Sequence, residues 1–283
     1  MRLHGLVALM IAVGMAGAGA QGQGAAAGPM HVGFDRNEFP ANEATLLELR
    51  RRFEFVGYWL NAPPGEKTNS WAGKRDQLKM HGFGFLVLYN GKLDAQILAA
   101  GRRGVKASAL GAGDGADALA AARREGFPAG AIVFLDMEEG GRMLAEQADY
   151  LFGWTEAVSA GGYRAGVYCS GQPVKEERGK MITTAEDIRE QVVARKVHEV
   201  ALWVAQDSCG PSPGCVVAGA PAMEKSGTVG AVAWQYAQSP RRRNITAACA
   251  KTYAVDGNCY AAGVAGMFLD LNVATSADPS HGR

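Results

Sequence analysis

Eight short apolar runs recur along this chain, and their spacing limits the possible folds more than any other feature. They cover His31–Asp35, Phe55–Leu60, Phe85–Tyr89, Ile132–Met137, Ala165–Cys169, Val200–Ala205, Ala231–Tyr236 and Met267–Leu271. Each is five or six residues long, the length of a strand buried on both faces and too short for most helices. Helical patterns fill the early intervals, at Glu43–Phe53, Ser70–His81, Gly115–Glu125, Gly141–Ala160 and Thr184–Val197. Such alternation implies a parallel sheet covered by helices, and eight strands in one domain point to a closed barrel rather than an open sheet. The expected fold class is α/β: a single TIM-type (β/α)8 barrel. A Gly- and Cys-rich stretch separates the last two runs, so fewer helices are expected in the later part. Val105–Leu110 reads either as a ninth strand or as part of a long excursion between the third and fourth strands, and the excursion is preferred.

The barrel is expected to span residues 31–275. Before it, Arg2, the apolar stretch Leu6–Val13 and the small residues Ala18-Gly19-Ala20 follow the three-part grammar of a secretory signal, expected over residues 1–20. Residues 21–30, QGQGAAAGPM, read as a flexible linker, and residues 276–283 as a polar tail. No later stretch is long and apolar enough to span a bilayer. The expected location is therefore secreted or periplasmic.

Charge and composition remove other classes. Hydrophobic residues make up 48% of the 283, which excludes a disordered chain. Loss of Arg2 with the signal leaves 28 basic and 28 acidic residues, with none of the basic surplus that nucleic-acid binding needs. In an exported protein Cys209 with Cys215, and Cys249 with Cys259, are natural disulfide candidates. Cys169 lies in an apolar run and is expected to stay a buried thiol. The cysteines lack paired C-x-x-C units and the five histidines are scattered, so neither a metal nor a cofactor is expected. A monomer is expected.

Barrel enzymes work at the C-terminal ends of their strands, so the residues found there carry the functional reading. Acids, aromatics and amides recur: Asp35 after the first run, Tyr58 in the second, Tyr89 and Asn90 after the third, and Asp136 and Glu138 at the fourth. Tyr168 follows in the fifth, Trp203 and Gln206 in the sixth, Trp234 and Gln235 in the seventh, and Asp270 in the last. Residues i and i+2 of a strand share a face about 6.5–7 Å apart, so Asp136 and Glu138 sit side by side at the mouth. Like charges at that range raise one carboxyl's pKa, leaving an acid beside a carboxylate, as glycoside hydrolysis requires. Asp35 and Asp270 end neighbouring strands once a barrel closes and can join the same cluster. Aromatic rings stack on sugar faces, and Gln206, Gln235 and Asn90 can bond hydroxyl or acetamido groups.

The ordered motifs G-F-D, F-L-D-M-E, G-V-Y-C-S, W-V-A-Q, A-W-Q-Y and F-L-D-L-N resemble the lysozyme-like barrels of glycoside hydrolase family 25. With GADALAAARREGFPAGAIVFLDME before the D-x-E strand, the chain is most similar to a bacterial glycoside hydrolase-like family (family 1906) described as similar to a secreted mycobacterial protein. The resemblance implies a modified eight-stranded barrel with Glu138 as general acid. Asp136 would orient the substrate's N-acetyl group or stabilise developing charge, and Asp35 and Asp270 would complete the acidic cluster. It also implies peptidoglycan or a related amino-sugar polysaccharide as partner, cleaved at β-1,4 bonds. One departure stands out: the lysozymes carry D-x-S after their first strand, whereas Asp35 is followed by Arg36-Asn37. Three function classes remain at this point: a glycosidase, a non-catalytic carbohydrate-binding barrel, and a metal-dependent hydrolase, for which no His accompanies the acids.

Overall fold

The structure, a computed structural model, describes residues 30–40, 42–176, 179–206, 220–238, 267 and 269–283. The expected signal, the linker up to residue 29, and Cys209, Cys215, Cys249 and Cys259 lie outside the described residues.

Eight strands close into a barrel: β1 (His31–Asp35), β2 (Phe55–Trp59), β3 (Gly84–Asn90), β4 (Ile132–Asp136), β5 (Arg164–Ser170), β8 (Ala201–Ala205), β9 (Ala233–Ala237) and β10 (Asp270–Ala274). A two-stranded hairpin, β6 (Val174–Lys175) with β7 (Met181–Ile182), stands outside it. From β1 through β9 neighbouring barrel strands run parallel. The closing strand β10 is antiparallel to both β9 and β1.

Six α-helices are present among the described residues: α1 (Glu43–Arg50), α2 (Arg75–Met80), α3 (Asp94–Arg102), α4 (Ala107–Arg124), α5 (Ala145–Ala160) and α6 (Thr184–Arg195). Local sequence explains their starts. Asn42 caps α1 by accepting the Thr45 N–H, and Thr183 with Glu186 forms a reciprocal capping box on α6. After β8 the described chain has a short 3-10 turn, Met223–Ser226, and no α-helix, matching the thinner later half expected from sequence.

Two expectations about the chain's course are corrected. The excursion between β3 and β4 is made of α3 followed by α4: Val105–Leu110 is not a ninth strand but straddles the start of α4, and the helix expected over Gly115–Glu125 begins eight residues earlier. α4 is rich in Gly and Ala because it lies hard against α5. A Cβ on Gly111 would stand 1.9 Å from the Tyr150 carbonyl oxygen, and one on Gly153 would stand 2.1 Å from that of Ser108. The last strand is β10, three residues further on than Met267–Leu271. Its register with β1, Asp35 opposite Asp270, is what places it.

The C-terminal residues, polar in sequence, form the barrel's floor. Ser280 is fully buried: its N–H donates to the Phe85 carbonyl, its hydroxyl accepts the Val87 N–H, and its carbonyl accepts the Ile132 N–H. Asp278 accepts the Phe85 N–H, and Arg75 grips the Gly282 carbonyl between the rings of Phe85 and Phe127. With that end closed, the open mouth lies where the parallel strands finish. No described helix is long and apolar enough to cross a membrane.

Candidate functional site

Strand alternation sorts the mouth residues into two sets. Asp35, Asp136, Tyr168, Trp203, Gln235 and Asn272 project into the barrel, and all but Asp136 are joined in one hydrogen-bonded network. Asp35 Oδ1 accepts the Asn272 amide at 2.7 Å and the Gln235 amide at 3.0 Å. Gln235 Oε1 in turn accepts the Tyr168 hydroxyl at 2.8 Å and the Gln238 amide at 3.0 Å. Asn272 Oδ1 accepts the Trp203 indole N–H at 2.9 Å. Gly57 makes room for this arrangement, since a Cβ there would sit 2.4 Å from that of Asp35. Burial pushes the Asp35 carboxyl up to about 6, against the pull of its two amide donors.

Asp136 lies opposite Asn90 on one side and Tyr168 on the other. It is buried, and its Oδ1 has no hydrogen-bond partner. Its pKa stands well above the usual carboxylate range, first through burial and then through the charges of Glu138, Asp35 and Glu139. The Met137 N–H donates to the Tyr168 carbonyl at 3.0 Å, so pairing continues past the end of β4 and keeps Glu138 on the inward face. Glu138 is exposed at the rim, where it lines a cleft of about 400 Å³ with Tyr168, Ser170, Gln172, Gln206 and Gln238. Partial burial of its carboxyl, then the charge of Glu139, raises its pKa. Tyr168 faces all four acids, Asp35, Asp136, Asp270 and Glu138, and its phenol is held strongly neutral by burial and by their charge.

The four expected acids therefore meet. Asp270 reaches the mouth as the first residue of its strand, not the last, because β10 runs antiparallel. Among the expected sugar-binding residues, Tyr168, Trp203 and Gln235 form the polar floor, and Gln206 lines the cleft. Asn90 stands at the mouth, but its amide group is already committed to the Ala62 carbonyl at 2.8 Å.

Three aromatics are corrected, all for the same reason: each sits one residue out of phase with the inward set. Tyr58 is fully buried under α2, with its ring against Trp71, Phe85 and Phe127 and its hydroxyl bonded to the Trp71 carbonyl and the Glu125 carboxylate. Tyr89 packs on Trp154 of α5, with ring centroids 5.3 Å apart. Trp234 packs on Tyr236 and donates to the Gln206 carbonyl at 2.8 Å, bracing the chain behind the cleft. Asn272, Gln238, Ser170 and Gln172 were not expected as site residues. Asn272 was accessible to the same two-residue step that links Asp136 to Glu138, taken from Asp270.

A search of the curated proteins finds no match. Among solved structures, an uncharacterized B. stearothermophilus protein is similar at 20% identity and a TM-score of 0.53, covering 86% of this chain and 95% of its own. The Mycobacterium tuberculosis Tat-secreted protein Rv2525c follows at 12% identity and 0.49, over 87% of this chain and 94% of its own. The modular autolysin LytC of Streptococcus pneumoniae also reaches 12% and 0.49, over 86% of this chain and 46% of its own. Residues 53–257, which carry the D-x-E strand and most of the barrel, match the model described as Rv2525c-like, glycoside hydrolase-like domain. That match covers most of the chain and agrees with the family implied by the order of the motifs: the chain belongs to the Rv2525c-like family of glycoside hydrolase-like domains.

Proposed function

We propose that this protein is an exported glycoside hydrolase that cleaves β-1,4 bonds in peptidoglycan or a related amino-sugar polysaccharide, with Glu138 as the general acid. The observation that carries the reading is the pairing of a buried carboxylate oxygen without a partner, on Asp136, with the raised-pKa carboxyl of Glu138 at the cleft rim. A buried acceptor without a donor is costly unless something supplies the missing bond. The N–H of an acetamido group can supply such a donor.

In this reading Glu138 is protonated when substrate binds and passes its proton to the glycosidic oxygen as the C–O bond breaks. The acetamido oxygen attacks the anomeric carbon, and Asp136 accepts the acetamido N–H and so orients that oxygen. Glu138, now a carboxylate, then takes a proton from the water that opens the intermediate. Asp35, fixed by Asn272 and Gln235, keeps further negative charge beneath Asp136. Activity should fall on the alkaline side as Glu138 loses its proton.

Digestion of purified peptidoglycan and of chitooligosaccharides tests this directly. Wild type should release reducing ends, and Glu138→Gln should reduce the rate by about a thousandfold or more while substrate binding survives. Binding by wild type with no release of reducing ends would instead identify a carbohydrate-binding barrel.

A further inference from the structure

The turn that carries Glu138 into the cleft is fastened from behind, and its neighbour Glu139 is the fastening. Glu139 Oε1 accepts the backbone N–H of Asp94 at 2.8 Å, and Oε2 accepts the Gln147 amide at 3.4 Å. Asp94 opens α3, so this N–H belongs to the helix's first turn, which has no internal acceptor and favours negative charge. The Glu139 carbonyl accepts the Thr184 hydroxyl at 3.4 Å, and the same hydroxyl reaches the Gly141 carbonyl at 2.9 Å. Further along, Arg142 pairs with Asp187 at 2.6 Å, and the Met143 N–H donates to the other oxygen of Asp187 at 2.9 Å. Three helices, α3, α5 and α6, thus hold one short turn, and Glu139 joins two of them through its carboxylate alone.

We propose that Glu139 is a positioning residue for Glu138: its anchoring to α3 and α5 sets where the turn presents the Glu138 carboxyl. The proposal rests on the glycosidase reading and gives the helical excursion between β3 and β4 a purpose at the site. A carboxylate that only stabilised α3 would not need the second contact on α5, nor a place directly beside the acid. The turn also carries Arg142, which pairs with Glu176, Asp187 and Glu190. Glu138 is faced by Glu139, by Asp136 on β4 and by Tyr168 on β5. Glu139 is faced by Asp136 on β4 and by Asp94 on α3, and Asp94 is also faced by Glu146 of α5.

The test uses the full chain with Glu139→Ala, Glu139→Gln and Gln147→Leu. Glu139→Ala should lower kcat about tenfold to a hundredfold with KM within about twofold, as a misplaced catalytic group does. Glu139→Gln keeps an acceptor but removes the charge, so the alkaline limb of its kcat profile should move to lower pH. Gln147→Leu keeps the charge and loosens one anchor, so kcat should fall with the limb in place. Crystal structures of wild type and Glu139→Ala give a readout independent of turnover: the Glu138 carboxyl should shift by about 1 Å or more. A variant set that loses thermal stability but keeps kcat, pH profile and the Glu138 position would overturn the proposal. A wild type with no turnover would refute the glycosidase reading, and the crystallographic comparison would still decide the positioning role.

Discussion

Asp35→Asn should gain stability relative to wild type as pH rises from 4 to 8, while removing part of the acidic cluster. Asp35 is buried and its pKa is raised from 3.8 to about 6. A carboxyl with a raised folded-state pKa binds its proton more tightly folded than unfolded, so its full contribution to stability is present below 3.8. That contribution is lost as pH rises through the window to about 6. At ~1.4 kcal/mol per pKa unit the loss is about 3 kcal/mol. The asparagine cannot ionise, so the variant escapes it. Any cost of fitting the amide among Asn272 and Gln235 applies at both pH values and cancels in the comparison. Asp136 also feels the charge of Asp35, and relief of that repulsion adds in the same direction. Denaturant unfolding of both proteins from pH 4 to pH 8 measures the effect. The gap between them should widen by about 2–3 kcal/mol in favour of the variant, or roughly 5–10 °C in Tm for a chain of this size. Parallel stability curves across that range would refute the argument, because they would mean that Asp35 titrates as an ordinary exposed acid.

Two further substitutions separate scaffold from site. Tyr58→Phe should cost about 1–2 kcal/mol through loss of its bonds to the Trp71 carbonyl and Glu125, with KM for an oligosaccharide unchanged; a raised KM would put the ring back in the cleft. Ser280→Ala strands the buried Val87 N–H and should destabilise by about 1–3 kcal/mol. Its activity per folded molecule should stay intact, read by thermal unfolding beside a rate assay.

Element type and order were legible because eight apolar runs with helical spacers leave few alternatives to a closed barrel. The inward and outward faces were harder to tell apart. In a strand covered on both sides the apolar pattern is nearly continuous, so Phe55–Trp59 carries no polar alternation to show that Gly57 faces Asp35 and Tyr58 faces α2. Tyr89 and Trp234 were misplaced for the same reason. Where two acids stood at i and i+2, as in Asp136 and Glu138, the period of two could be applied and gave the correct face. The excursion was obscured differently. Glycines lower the helical signal of residues 107–115, and their reason, the close approach of α5, is a tertiary contact that no local pattern carries.

Asp270 shows how a correct location can follow from an incorrect path. Sequence placed it at the end of a last strand; the structure has it at the beginning of one. In an all-parallel barrel the first residue of a strand lies on the floor, about 13 Å from the mouth along a five-residue strand. It reaches the mouth here only because β10 runs against β1, pairing Asp270 with Asp35. The same reversal brings Asn272 inward below Asp270, where its amide can hold Asp35 and its carbonyl can accept from Trp203. The buried carboxylate at the centre of the cluster is thus fixed by a residue that a parallel closing strand would present at another height. The direction of that one strand, more than the number of helices around the barrel, is the feature on which this acidic site depends.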